Sequence, residues 1–368
     1  MSETVDIIGG GVIGLVLGLS LARSTVGSET DYQINIIEKE DTVGSQSSSV
    51  AGYGIRTVYR HPLNLYLAQK GLQFWSHLGE PSDTGFRRNG YLFLTNETET
   101  SRTLQREKNR QISNGFPAEL REPADPTEFT TESIPTYRSG LFSPISAVSD
   151  STRSIDKIRQ LCEQESVNIR TGEGVVALAD EGTRCRVETT QSSEHADTVV
   201  NASGVWADEI AQLIGETVPV EPSERKLAVL DRTVDPDMPL IVDIDTGFYM
   251  LPGHDNTLYA GGDFDHESAD ESYRTLLKRY GSETYDRLSD ATVEAVRTGY
   301  YAMTPSKLPV IEQTGNVIHV CGFSGHGFMQ APGAASVVRR MILPNKRNIL
   351  KEELLSSNRD LSLTDIQF

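Results

Sequence analysis

Val5-Asp6-Ile7-Ile8-Gly9-Gly10-Gly11-Val12-Ile13-Gly14 stands at the head of the chain, and its reading decides the fold. The β-branched run reads as a short strand, the glycines as a tight turn, and the apolar residues from Val12 to Arg23 as a helix. Ile34-Asn35-Ile36-Ile37 then supplies a second strand that ends at Glu38. Strand, helix and strand make a βαβ unit with glycines in its first turn.

Each glycine of Gly9-x-Gly11-x-x-Gly14 has its own physical role. The first permits the tight turn, the second lets a pyrophosphate approach the backbone, and the third closes the helix onto the strand. The helix N-terminus adds unpaired N–H groups and partial positive charge. Glu38, 24 residues after Gly14, is placed to accept both hydroxyls of an adenosine ribose. A carboxylate there argues against a 2′-phosphate and so against NADP. NAD and FAD both satisfy this fingerprint.

A second glycine turn lies near the other end: Cys321-Gly322-Phe323-Ser324-Gly325-His326-Gly327-Phe328-Met329-Gln330-Ala331-Pro332-Gly333. It joins the β-rich run Val317–Val320 to an alanine-rich helix, and such a turn brings bare backbone close to a ligand. A simple nicotinamide enzyme needs no such turn so far along the chain. A flavin does, because its ring lies far from its adenine.

Between the two turns the pattern alternates. A polar loop, Ser45-Gln46-Ser47-Ser48-Ser49, is followed by helices expected at about Pro62 to Leu78 and Thr100 to Asn114, with a strand at Gly90–Leu94 between them. Asp150 to Gln164 is helical, with Ile155, Ile158, Leu161 and Cys162 on one face and Asp150 or Ser151 as cap. Val199 to Gly204 is a strand ending in small residues. Residues 218–300 supply several strands, including Gly247–Leu251 and Thr257–Gly261, interrupted by a helical insert from about Asp270 to Arg297.

Composition bounds the partners. The 368 residues fit two interleaved domains. With 52 acidic against 34 basic residues the net charge is −18, which argues against nucleic acid or an anionic membrane as main partner. Nine lysines against 25 arginines fit a salt-adapted surface and an ordinary acidic protein equally. Cys162, Cys185 and Cys321 have no metal-ligand spacing and form no even disulfide set, so a reducing, cytoplasmic setting is expected, without metal. Met1-Ser2-Glu3-Thr4 lacks the basic start of a secretory signal. The run Val5–Ala22 is apolar enough to mimic a membrane span, but Asp6 and its glycines favour the βα reading.

Four segments, in this order, resemble the D-amino-acid-oxidase-like FAD-dependent oxidoreductases, especially the sarcosine oxidase, glycine oxidase and dimethylglycine dehydrogenase branch. They are Ile7–Gly14, Val200-Asn201-Ala202-Ser203-Gly204-Val205-Trp206-Ala207, Thr304-Pro305-Ser306-Lys307-Leu308-Pro309-Val310-Ile311 and Gly322–Phe328. The tail from Asp360 to Phe368 also looks like the family's usual ending, so the resemblance covers nearly the whole chain. It implies an α/β chain of the α+β two-domain kind. A Rossmann-like FAD-binding domain of the glutathione-reductase type (1–84, 146–216 and 302–368) would interleave with a substrate domain on a mixed or antiparallel sheet (85–145 and 217–301).

By the same resemblance Gly9, Gly11, Val12, Ile13, Gly14 and Glu38 hold the ADP half of FAD, with Lys39 beside them. Ser47, Ser48 and Ser49 fall where the family contacts the pyrophosphate, and Val175 or Val176 matches the valine whose backbone meets adenine. Ala202, Ser203 and Gly204 match the turn beneath the dinucleotide, with Trp206 after it. Gly322, Phe323, Ser324, Gly325, His326, Gly327, Phe328 and Met329 would line the flavin ring, their N–H groups stabilising charge on the reduced pyrimidine. For His326 a positioning role is favoured over proton transfer.

Departures from the branch carry information too. Gly299 occupies the position of the cysteine that binds flavin covalently in monomeric sarcosine oxidases, so non-covalent FAD is expected. Met329 stands where those enzymes carry a substrate-binding lysine, and Tyr259 near the lysine linked to oxygen activation. Loss of both lysines argues against sarcosine as substrate and against O2 as the assured acceptor, so O2 or another electron acceptor is expected. Arg56 is the expected clamp for a substrate carboxylate, with Arg60 in reserve, and Tyr249 and Tyr301 as substrate-facing tyrosines.

The reaction implied is oxidation of the C–N bond of an amino acid or N-alkyl amino acid, by hydride transfer from the α-carbon to flavin N5 and hydrolysis of the imine. Two other readings fit the same cofactor. A 2-hydroxy-acid dehydrogenase would need a general base, for which His326 is the candidate. A non-catalytic flavoprotein, an assembly factor or subunit, is the other, since Gly90–Leu94 resembles segments of that branch.

Overall fold

A computed structural model describes residues 2–28, 30–50, 54–262, 272–343 and 355–356. The tail from Asp360 to Phe368 and the tripeptide Ala51–Tyr53 lie outside them. The opening strand, Ser2–Ile8, is central to a six-stranded sheet ordered 310–314, 317–321, 198–201, 2–8, 31–37 and 168–170. All neighbours are parallel except the antiparallel pair 310–314 and 317–321.

Continuous apolar runs, rather than alternation, build this sheet because both faces are covered. Val5, Ile7, Ile36, Val200 and Ile318 face a core shared with the helices Val12–Thr25, Pro62–Trp75, Ser151–Gln164 and Gly327–Ile342. Ile8, Ile37, Val199 and Val317 face the other way, onto Leu178, Cys185 and Val187 of a three-stranded antiparallel sheet over 175–196. Asp150 caps its helix by accepting from the Arg153 N–H at 3.0 Å.

Alternation governs the second large sheet. Its eight strands run in the order 293–303, 221–233, 257–262, 248–252, 240–243, 91–95, 139–143 and 119–121, antiparallel except where 240–243 meets 91–95. Leu92, Leu94, Leu230, Ile241, Met250 and Leu258 point to a core under the helix Tyr273–Thr284. Phe93, Leu227, Val242, Leu251 and Tyr259 point to the opposite side.

One expectation fails here. The helical insert extended to Arg297 from sequence ends at Thr284, and Val293–Met303 is an eleven-residue strand paired with Glu221–Thr233. Val293, Val296, Tyr300 and Tyr301 suit a pleated surface, and the long partner strand decides between the two states. Among the described residues no helix is long and apolar enough to cross a membrane.

Candidate cofactor and substrate site

Two cavities of about 990 and 910 Å³, both open to solvent, lie along the carboxyl ends of the parallel strands. They share the walls Val12, Ile13, Ser47, Ser48, Gly204 and Val205, so they form one long crevice. The first ends at Glu38, Lys39, Val175 and Trp206; the second ends at Gly322–Gly325, Gly327 and Phe328.

At the first end backbone approaches backbone. Gly9 has φ +109°, and a Cβ on it would stand 2.6 Å from the Ala202 carbonyl oxygen; only glycine fits. Glu38 is fixed by two N–H donors, Gly10 to Oε2 at 2.7 Å and Glu40 to Oε1 at 2.9 Å. The helix Val12–Thr25 starts at the crevice with no acidic residue in its first turn, and its Val12 N–H donates to Ser48 Oγ at 3.1 Å. Lys39 Nζ lies 3.5 Å from the centre of the Trp206 ring, a cation–π contact at the Glu38 end of the crevice.

A second helix begins at the other end. Gly327–Ile342 has no side-chain cap and no acidic residue in its first turn, so its positive end also meets the crevice. Gly325, at φ +87°, leaves room for the ring of Tyr301. Ser324 N–H donates to the Ala302 carbonyl at 2.9 Å, and Thr304 N–H donates to Ser324 Oγ at 3.3 Å, tying this turn to the end of strand 293–303. Phe328 is held by a stack on Trp75, with ring centres 4.3 Å apart.

The wall facing that turn is the eight-stranded sheet. Register puts Arg225 opposite Gly299, Ser223 opposite Tyr301, and both Leu227 and Tyr249 opposite Gly261. Arg225, Tyr249, Gly299 and Tyr301 thus stand on one face, lining the second cavity. The Arg225 guanidinium lies 5.3 Å from the Tyr301 ring centre, its Nη1 donating to Ser223 Oγ and the Glu224 carbonyl, each at 2.8 Å. Burial, then the neighbouring Tyr301, holds the Tyr249 phenol well above its ordinary pKa, so it is a neutral donor.

The structure gathers most of the residues expected from sequence and sets some apart. Gly9, Gly11, Val12, Ile13, Glu38, Lys39, Ser47, Ser48, Val175, Ala202, Ser203, Gly204, Trp206, Gly322, Phe323, Ser324, Gly325, Gly327, Phe328, Tyr249 and Tyr301 all line the crevice. Gly14 sits behind it, packed on the Gly9 carbonyl. Val176 points outward and is exposed, because its neighbour Val175 takes the inward position on the strand. The Ser49 hydroxyl turns back onto the carbonyls of Ser45 and Gln46.

Arg56, Arg60, His326 and Met329 are not on the walls of either cavity. Arg56 is buried, with Nη2 2.9 Å from His326 Nε2. Arg60 is paired with the buried Glu107 at 3.5 Å. Met329 packs in the core, its sulfur accepting from the Tyr59 hydroxyl at 2.9 Å. Helix geometry explains the last case: Gly327 and Phe328 face the crevice, so the next side chain turns inward.

Arg225 is the main wall residue that sequence reasoning passed over. It lies in phase with Leu227 and Val229 on a strand, a charge on an apolar face, and that was its signal. Lys226, Tyr300 and Val50 at the glycine-turn end, and Glu173 at the Glu38 end, were also not anticipated.

A crevice with two helix N-termini, a carboxylate at one end and bare glycine backbone at both fits an extended dinucleotide. These features define a dinucleotide-binding protein with a sheet-walled chamber. A family model described as "FAD dependent oxidoreductase" matches residues 4–341. The bovine FAD-dependent oxidoreductase domain-containing protein 1 is 24% identical over 92% of this chain and 81% of its own length. Glycine oxidase of Pseudomonas putida is 25% identical over 92% and 93%. The solved L-proline dehydrogenase from P. horikoshii shares the fold with a TM-score of 0.86, covering 97% of each chain at 23% identity. The chain belongs to the FAD-dependent oxidoreductase family, and FAD is its cofactor.

Proposed function

We propose that the protein oxidises the C–N bond of an amino acid or N-alkyl amino acid, with FAD bound non-covalently. In this reading residues 1–84, 146–216 and 302–368 form the FAD-binding domain, and 85–145 and 217–301 the substrate domain. FAD supplies the two-electron acceptor. The observation that carries the choice of substrate is the chemistry of the ring-side wall. Arg225 stands there beside the neutral hydroxyl of Tyr249, while no carboxylate and no histidine lines that cavity among the described residues.

A guanidinium fork suits a carboxylate. An amino acid that gives its ammonium proton to water carries a nitrogen lone pair that drives departure of the α-hydride, and water then cleaves the imine, so no protein base is required. A hydroxy acid needs a base to take its O–H proton. His326 is unsuited to act as that base, because Arg56 can only donate and so occupies the Nε2 lone pair. Lys226 is paired with Glu224 at 2.8 Å. The glycine oxidase and L-proline dehydrogenase among its relatives agree with an amino-acid substrate. Three free, buried cysteines agree with a cytoplasmic setting.

Anaerobic mixing of the yellow holoprotein with amino acids, N-methyl amino acids and 2-hydroxy acids tests this reading. Bleaching of the flavin by amines alone is expected. Bleaching by hydroxy acids alone, or by none of these compounds, would overturn it. Reoxidation in air against reoxidation by an added quinone separates O2 from another electron acceptor.

A further inference from the structure

Behind the small-residue turn at Ala202–Gly204 runs a chain of hydrogen bonds that reaches from the cofactor crevice to the surface. Asn201 Nδ2 lies 2.8 Å from the Ala207 carbonyl oxygen. A carbonyl only accepts, so this contact fixes which end of the amide is nitrogen. The same Nδ2 is 3.1 Å from His319 Nδ1, which must therefore accept. With Nδ1 accepting, the proton of the buried imidazole lies on Nε2, which donates to Glu216 Oε2 at 2.9 Å. On the other side Asn201 Oδ1 accepts from the Ser203 hydroxyl at 2.6 Å.

Every polar atom in this chain is satisfied and each bond has one direction. Ser203 Oγ gives its only hydrogen to Asn201, so only lone pairs remain to it, and Ser203 lines the crevice on the adenosine side. Reversing that hydroxyl would require the Asn201 amide to turn over. Ala207 and His319 both oppose this, the latter because Glu216 holds its tautomer.

We propose that Glu216 and His319 are positioning residues that act through Asn201 to present Ser203 as a hydrogen-bond acceptor to a hydroxyl or N–H group of the bound FAD. The relay spans two adjacent parallel strands, 198–201 and 317–321, which hold Asn201 opposite His319. A surface carboxylate thereby sets the polarity of a group inside the cofactor crevice. The role concerns cofactor binding and holds whatever substrate the enzyme takes.

The test is FAD affinity of the apoprotein, read by quenching of flavin fluorescence. Ser203→Ala should weaken binding about fivefold, the usual loss for one hydrogen bond. Glu216→Ala, at a partly exposed position, should weaken it about threefold while leaving the circular dichroism of the apoprotein unchanged. The double variant should lose little more than Ser203→Ala alone, because both act through one bond. His319→Asn keeps an acceptor near the Nδ1 position and should bind FAD better than His319→Gln, which keeps only the donor near Nε2. Additive losses, an unchanged dissociation constant for Glu216→Ala with Ser203→Ala impaired, or the reverse order of the two His319 variants would overturn the proposal.

Discussion

Arg56 donates to His326 Nε2 across 2.9 Å, and the same guanidinium lies 4.7 Å over the ring of Tyr59. The two residues therefore brace each other at the glycine turn Gly322–Phe328, to which His326 belongs. Burial, then the Arg56 charge, holds the His326 imidazole well below its ordinary pKa. Nε2 accepts, so Nδ1 carries the proton, and Nδ1 is buried without a partner among the described residues.

Replacing Arg56 with Met should raise the His326 pKa toward its ordinary range, because the cation that opposes protonation is gone while burial remains. A titration of the imidazole nitrogens by NMR reads this directly. KM for the amino acid should change less than about tenfold. A rise of a hundredfold or more would make Arg56 the carboxylate clamp.

Arg225→Met should raise KM by about a hundredfold or more, the loss expected for a bidentate charged contact, with FAD still bound. Arg225→Lys should recover only part, since an ammonium lacks the fork. Steady-state kinetics on the holoenzyme, with flavin content from absorbance, decide this. Unchanged KM in Arg225→Met would remove the residue from the substrate site.

Gly299 packs bare backbone against the Val50 side chain, and the next residue, Tyr300, donates its N–H to Ser47 Oγ at 3.2 Å. A methyl group at 299 must displace Val50 and with it the serine loop. Gly299→Ala should therefore weaken FAD binding by about tenfold, or about 1.4 kcal/mol. Equilibrium dialysis of FAD against the apoprotein is the measurement, and retention of full affinity would show that the loop adapts.

Asp6 lies inside the fold on the opening strand, accepting from Asn35 Nδ2 at 2.7 Å, and burial pushes its pKa up to about 6. The folded protein thus holds this proton more tightly than the unfolded chain does. Its contribution is fully present below about pH 4 and is lost as pH rises through about 6. Asp6→Asn should stabilise the protein at pH 7.5 by an amount on the order of 3 kcal/mol at most and leave it little changed at pH 4. Urea unfolding at both pH values checks the sign; destabilisation at pH 7.5 would show that the carboxylate has a partner worth more than its burial costs.

Much of the cofactor half was legible because its chemistry is local. Gly9, Gly11, Gly14 and Glu38 occupy one βαβ unit, where spacing along the chain nearly determines spacing in space. The sheet wall was less legible, since Arg225, Tyr249 and Tyr301 meet only through strand register among separated segments. Tyr249 and Tyr301 were expected by resemblance and do line the cavity, whereas Arg225 required knowing which face of its strand looks inward. Arg56 stands off the walls of both cavities for a related reason. Its position after the serine loop is near the ring-side turn, but proximity in sequence does not say whether a side chain points into a cavity or beneath it.

A single cavity meets both the glycine turn of Gly322–Phe328 and the sheet face carrying Arg225 and Tyr301. With FAD bound along the crevice as proposed, the cofactor itself provides one surface of the substrate pocket, and the apoprotein has no finished one. Recognition of the substrate is then a property of the loaded protein alone. Loss of FAD would blind the enzyme as well as disarm it, and any change that reshapes the bed of the cofactor will be read out as altered preference among substrates.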